Sequence, residues 1–260
     1  MLFAVDVGNT NMEFGLYRDS MLVGSFRMGT KHEVTSDEIG LFIRQYFWLN
    51  KIDIGEIEAI IIASVVPQVM YSLCSALIKY VEVQPLVIGD NITVKIDNLY
   101  DRPAAVGADR IVGAYAAYRK HGGPLIVVDF GTATTLDAVS AEGAYLGGAI
   151  YPGVKISMDA LFQKAAKLPR IELQNPGVAI GKNTEQSMQS GVYHGYIGAV
   201  QNIARLIAAE IGGNVKLVAT GGLSTLFADS GIFDAVDKAL TLDGLYLIYA
   251  DHMFSPKSET

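Results

Sequence analysis

The sequence predicts an α/β protein of two related domains, each a mixed sheet with flanking helices. Two observations carry this expectation: a hairpin that is written twice, and a meander that follows it in both halves of the chain. Phe3-Ala4-Val5 runs into Asp6-Val7-Gly8-Asn9-Thr10, and Ile126-Val127-Val128 runs into Asp129-Phe130-Gly131-Thr132-Ala133. Each copy is a short apolar strand that ends in Asp-x-Gly and continues into residues bearing hydroxyl or amide groups. Asp19 follows Asp6 by thirteen residues, and Glu142 follows Asp129 by the same interval. Both second strands therefore reach a polar turn at the same distance. An Asp at such a tip can hold a cation beside polyphosphate, glycine lets the backbone approach a ligand, and Thr or Asn supplies hydrogen bonds. The repeat points to a nucleotide-dependent phosphotransferase with two domains facing one another across a nucleotide cleft.

The remaining elements follow in order. The first hairpin extends into a third strand over residues 21–28. Ser36-Asp37-Glu38 is a helix start, and Ile39, Phe42, Ile43, Tyr46 and Phe47 recur at helical spacing behind it. Residues 57–66 are rich in branched side chains and read as a buried parallel strand. Pro67 opens a second helix with a stripe of Val69, Leu73, Leu77 and Tyr80, and residues 85–88 form a further strand. This β-β-β-α-β-α-β order is that of an actin-like (ribonuclease H-like) nucleotide-binding domain. Residues 90–106 have weak periodicity and read as an irregular segment. A helix over 109–120 ends at Gly122-Gly123-Pro124, where the second copy begins. The division is expected at residues 1–117 and 118–260. The second half then predicts a meander up to Pro152-Gly153, a helix over 156–167, a loop over 168–184 and a long helix over 185–210. A strand over 216–219 runs into Thr220-Gly221-Gly222, and a helix-strand-helix closes the chain.

Composition narrows the function. Half of the 260 residues are hydrophobic, fewer than a fifth are charged, and the net charge is −7. That balance suits a packed enzyme and disfavours nucleic acid, whose binding needs a basic stripe. Cys74 is the sole cysteine, so no intramolecular disulfide forms and a core role is expected for it. Met1 leads directly into a strand interrupted by Asp6, and the apolar run 59–66 stops at Pro67, well short of a membrane span. A cytoplasmic protein with no membrane partner is expected.

Several residues could carry chemistry. Asp6 and Asp129 could each simply cap a turn, but matched spacing of whole hairpins favours a joint role in phosphoryl transfer, which needs positioning and charge neutralisation. Gly107-Ala108-Asp109-Arg110 places an acid and a base at a helix start. An N-capping Asp with a solvated Arg is one reading. The other makes Asp109 a general base for an alcohol and Arg110 a bidentate clamp for an anion. Thr220-Gly221-Gly222 is either a tight turn or a backbone platform beneath adenine. Thr184, after Gly181-Lys182-Asn183, fits a helix N-cap. His32, His121, His194 and His252 show no metal-ligand spacing, and no Walker-type loop is present.

Taken together, the ordered series resembles the type III pantothenate kinases, bacterial members of the acetate and sugar kinase/heat-shock/actin superfamily. It comprises Asp6 to Asn11, Ser64-Val65-Val66-Pro67, Val106 to Val112, Asp129 to Thr135, Gly147 to Ile150 before Pro152-Gly153, and Ala166 to Pro169. It continues with Gly181 to Thr184, Met188 to Gly191, and Ala219 to Leu223. The resemblance implies in-line transfer of the ATP γ-phosphate to the primary hydroxyl of pantothenate, the first step of coenzyme A biosynthesis. It assigns ATP contacts to Asp6, Val7, Gly8, Asn9, Thr10, Asn11, Met12, Glu13 and Thr132. Asp109 becomes the general base, and Tyr100, Gly107, Ala108, Asp109, Arg110 and Thr184 bind pantothenate. Asp129 matches the site of a monovalent cation, K+ or NH4+, and Asp6 is the candidate for Mg2+. A homodimer is implied, for which the long helix with Gly191, Gly195 and Gly198 would suit close packing. A related kinase for another acceptor, or a non-catalytic nucleotide-binding regulator, would share the hairpins without explaining Asp109 and Arg110.

Overall fold

The structure, a computed structural model, describes residues 1–254. Strands β1 (Leu2–Val7), β2 (Asn11–Arg18) and β3 (Met21–Gly29) form the first meander. They are followed by α1 (Ser36–Leu49), β4 (Ala59–Ser64), α2 (Pro67–Tyr80) and β5 (Pro85–Val87). The helix α3 (Ala108–His121) leads to the second meander of β6 (Leu125–Phe130), β7 (Ala133–Val139) and β8 (Tyr145–Pro152). Then come α4 (Val154–Lys164), α5 (Thr184–Ile211), β9 (Lys216–Thr220), β10 (Ala235–Val236) and α6 (Leu240–Phe254). The two sheets share one order, β3-β2-β1-β4-β5 and β8-β7-β6-β9-β10. In each the meander is antiparallel and the remaining pairings are parallel. This is the actin-like plan in both halves.

Local chemistry explains the main helix starts. Thr35 caps α1 by accepting from the Glu38 N–H at 3.2 Å, while its own N–H donates to Glu38 Oε2 at 2.8 Å. The helix itself begins at Ser36, the start expected from sequence. Pro67 opens α2, where its missing N–H removes no helical bond. Asn183 caps α5 by accepting from the Gln186 N–H at 2.9 Å.

Residues 1–95, 104–116 and 241–254 make one compact unit, and residues 96–103 and 117–240 make the other. In the first, Phe3, Val5 and Val7 join Phe14 and Leu16 in a core covered by Ile39, Ile43 and Phe47 of α1 and Val69, Leu73 and Leu77 of α2. The opposite face of β2 meets α6: Gly15 lies against Leu242, Tyr17 donates to Asp243 at 2.6 Å, and the Tyr17 and Tyr246 rings stack at 5.1 Å. Gly244 of α6 packs on Val112 and Ala116 of α3. In the second unit, Ile126, Val128 and Phe130 pack with Leu136, Tyr193, Tyr196, Val200 and Phe227.

A single cut between residues 117 and 118, expected from the sequence, does not describe this division. Helix α6 completes the first sheet's second face, and residues 96–103 attach to the second unit. If α6 is part of the first unit's core, Leu242→Ala, at a position 3% exposed, costs about 2–5 kcal/mol. Urea unfolding followed by far-UV circular dichroism measures this, and a loss well below about 1 kcal/mol would place α6 outside that core.

Candidate active site

In the first unit, β1 runs parallel to β4 with Asp6 opposite Ala63 and Val7 opposite Ser64. The Val65 N–H still donates to Val7 O at 3.1 Å; beyond that point the two strands part. Carboxyl edges of this kind leave backbone available to a ligand. The hairpin tip is closed from both sides. Gly8 N–H donates to Asn11 O at 3.0 Å, and Thr30, just past β3, donates through N–H to Thr10 O at 3.0 Å and through Oγ1 to Gly8 O at 2.7 Å. The role of Thr30 is invisible in the sequence, because it acts across 22 residues.

The residues of this loop differ in what they can offer. Asn9, Thr10 and Asn11 are exposed, and Asp6 is partly buried at the strand end. Val7 and Met12 have side chains wholly inside the core, so only their backbones can meet a ligand. Glu13 Oε1 accepts from Arg27 Nε at 3.1 Å and Nη2 at 2.8 Å, so its carboxylate is engaged by β3.

The Gly107-Ala108-Asp109-Arg110 turn sits on the same sheet edge. Helix α3 starts at Ala108, and Asp109 Oδ1 folds back to accept from the Arg110 N–H at 2.7 Å. A Cβ at Gly107 would lie 2.5 Å from Asp109 Oδ1 and 3.1 Å from Val65 Cγ1. Glycine is therefore needed both for the carboxylate's position and for closing the turn on Val65. Through Val65, the Asp6 strand end and the Asp109 turn are tied to one edge. Burial pushes the Asp109 carboxyl above its ordinary value, and the Arg110 N–H and guanidinium oppose that shift without cancelling it.

In the second unit, Asp129 lies opposite Thr135 of β7 and Thr220 of β9. Gly131 N–H donates to Ala133 O at 3.0 Å and tightens the tip. Gly221 has φ +89°, and a Cβ there would overlap Asp129 Oδ1 and approach the Phe130 backbone to 2.8 Å. The missing side chain at Gly221 is the room in which the Asp129 carboxylate stands. This adds to the turn reading a non-local requirement that the sequence did not reveal. Thr132 is exposed, with its carbonyl against Gly153.

Among the described residues, no group of three or more His, Cys, Asp or Glu converges as a metal cage. Single carboxylates beside hydroxyls and backbone carbonyls are instead an oxygen-only donor set. Such sets fit hard cations whose remaining ligands are substrate phosphates and water.

The two other candidate residues, both in the second unit, have different surroundings. Tyr100 is 39% exposed, with its ring over Gly147 and its N–H donating to Asn98 Oδ1 at 3.1 Å. Thr184 starts α5 and lines a cavity of about 560 Å³ with Leu161, Leu168, Lys182, Ser187 and Met188. No helix among the described residues is long and apolar enough to cross a membrane.

Comparison with known proteins gives these edges a context. A family model described as type III pantothenate kinase matches residues 2–206. A type III pantothenate kinase of Myxococcus xanthus (strain DK1622) is 48% identical over 250 residues, spanning 96% of this chain and 98% of its own. One from Anaeromyxobacter sp. (strain Fw109-5) gives the same identity and coverage. Among solved structures, a protein of Campylobacter jejuni described as a Baf family transcriptional activator matches at TM-score 0.61 and 22% identity, covering 96% of this chain and 98% of that one. A Sinorhizobium meliloti protein described as a 2-dehydro-3-deoxygalactonokinase matches at TM-score 0.62 and 14% identity, covering 100% and 99%. At those identities the two structures speak for the fold alone. The family model and the relatives reach further, and the chain belongs to the type III pantothenate kinase family.

Proposed function

We propose that the protein transfers the γ-phosphate of ATP to the primary hydroxyl of pantothenate, yielding 4′-phosphopantothenate and ADP at the entry to coenzyme A biosynthesis. The observation that carries the reading is the recessed Asp109 carboxylate, held at a helix start beside Arg110 on the edge where β1 ends in Asp6. Phosphoryl transfer passes through a loose transition state, so positioning and charge do most of the work. Asp109 orients the pantothenate hydroxyl and accepts its proton as the oxygen–phosphorus bond forms. Its raised proton affinity makes it a better acceptor than an exposed aspartate. Arg110 presents a planar fork to the pantothenate carboxylate, with Gly107 and Ala108 as the turn that admits it and Tyr100 and Thr184 as further contacts.

The loop Asp6 to Asn11 and Thr132 are the proposed ATP contacts, with Val7, Met12 and Glu13 contributing through backbone. Asp6 would hold Mg2+ together with the phosphates, and Asp129 would hold K+ or NH4+. Such ions, when bound, neutralise charge that builds up on the transferring group. A homodimer is also proposed. Support comes from Gly191, Gly195 and Gly198 of α5, where an added Cβ would meet nothing within 4 Å among the described residues.

The direct test is ATP-dependent phosphorylation of pantothenate by the pure protein, with K+ or NH4+ present and then withheld. Product that depends on both is expected; ATP hydrolysis indifferent to pantothenate would overturn the reading. Asp109→Asn lowers kcat about 10²–10⁴-fold and leaves ATP binding, measured by calorimetry, near the parent value. The base works as a carboxylate with a raised pKa. Activity is therefore present above that pKa and lost as pH falls through it, so the acid limb of kcat/KM lies above the ordinary aspartate range. A limb at the ordinary position would remove the burial argument. Asp129→Ala raises the K+ concentration for half-maximal activity more than roughly tenfold, as expected for loss of a charged ligand; an unchanged K+ titration would reject that assignment. Thr30→Val, which strips the bond to Gly8 O, raises the KM for ATP roughly three- to tenfold without moving the KM for pantothenate. Equal shifts in both constants would show that Thr30 is only structural.

A further inference from the structure

A buried carboxylate in the second unit has no part in the chemistry above. Asp137 of β7 is 2% exposed, beside the fully buried Leu136 and Tyr145. Its Oδ2 accepts from Thr135 Oγ1 at 2.8 Å and its Oδ1 accepts from the Tyr145 hydroxyl at 2.9 Å. Tyr145 is itself fully buried at the start of β8. A carboxyl group placed this deep is costly unless its oxygens are hydrogen-bonded, and the Thr135 and Tyr145 hydroxyls bond both of them.

The bond to Tyr145 leads on to the backbone of that residue. Strand β8 is an edge strand, and its outer side would leave peptide groups unpaired. Tyr145 N–H donates to Asp97 O at 2.8 Å, and Leu99 N–H donates to Tyr145 O at 2.9 Å. These two bonds make a parallel bridge with Asn98 at its centre. Asn98 continues the arrangement: its Oδ1 accepts from the Tyr100 N–H at 3.1 Å, and its Nδ2 donates to Pro103 O at 3.3 Å. The Tyr100 ring then lies over Gly147, where an added Cβ would come within 3.4 Å of it, and 6.4 Å from the Tyr145 ring. Residues 96–103 belong to the second unit although both flanks belong to the first. The bridge at Tyr145 gives a physical reason for that excursion.

We propose that Tyr145, fixed by buried Asp137, is a positioning residue that clamps residues 97–99 to the edge of β8 and so sets the place of Tyr100 against pantothenate. The inference rests on the reading of Tyr100 as a pantothenate contact. Neither Asp137 nor Tyr145 touches the substrate; both act through the backbone of the segment.

The test uses the full-length protein with Tyr145→Phe, Asn98→Ala and Tyr100→Ala, reading steady-state constants and backbone amide exchange. Tyr145→Phe and Asn98→Ala each speed exchange of the Leu99 and Tyr100 amides and raise the KM for pantothenate roughly tenfold, the scale of one lost hydrogen bond. The KM for ATP and kcat stay within about twofold, a split that general loosening of the fold would not give. Should Tyr145→Phe fail to fold, Asn98→Ala carries the same readouts, because its change is local to the segment. Unchanged Leu99 exchange overturns the clamp whatever the kinetics. Faster exchange with an unchanged pantothenate KM, or an equal rise in the KM for ATP, overturns the positioning role. An unchanged pantothenate KM in Tyr100→Ala instead rejects the underlying reading of Tyr100, and the exchange data then show separately whether the clamp exists.

Discussion

In both sheets, the strand that ends in Asp-x-Gly runs between an antiparallel partner and a parallel one, and the pairing register sets where its carboxylate stands. Asp6 is opposite Ala63 on the parallel side, and Asp129 is opposite Thr220. On the antiparallel side the chain must turn at once, which makes the tip. On the parallel side the neighbour departs into another element, which leaves space. A slip of one residue would turn each Asp to the opposite face of its sheet; close packing of the differently shaped side chains of β1 and β6 holds the observed register. The core therefore holds the carboxylates in place without contacting a ligand.

The two edges are not equivalent despite that shared register. The first places a second acid near the strand end, since the turn before α3 closes on Val65 through Gly107. At the second, the neighbouring position is Gly221, whose absent side chain makes room for the Asp129 oxygen. One edge thus gathers two carboxylates, that of Asp109 recessed by burial, while the other sets the Asp129 carboxylate in the space left by Gly221. That difference suits a proton acceptor and a cation ligand respectively.

Much of this was legible in the residues. The duplicated hairpin announced both meanders, because an apolar strand, an Asp-x-Gly tip and a polar turn recur at one spacing. The helix starts at Ser36 and Pro67 were marked by local chemistry, which is what a sequence displays; at α5 the cap expected at Thr184 is filled one residue earlier by Asn183. The other parts that were not legible all involve partners distant along the chain. Leu240, Leu242, Leu245 and Ile248 show that α6 is buried, but apolar spacing does not say which sheet it covers. Thr30 locking Gly8 and Asp129 filling the space at Gly221 depend on cross-strand geometry. Glu13, read as part of the ATP loop, is engaged by Arg27, a pairing that only the β2–β3 register reveals. Residues 96–103 lacked periodicity because they bond through a single bridge rather than a ladder.

That bridge separates two jobs by location. Asp129 is on the central strand of its sheet, whereas Tyr100 is attached to β8, two strands away at the margin. Neighbouring strands are about 5 Å apart, so the separation is on the order of 10 Å. Changes in a marginal segment leave central pairing and its buried side chains untouched. Substitution in this border segment can therefore alter the one proposed acceptor contact it carries, Tyr100, without disturbing the hairpin of Asp129. An architecture arranged this way leaves one contact free to vary at the border, while the central strands keep their register.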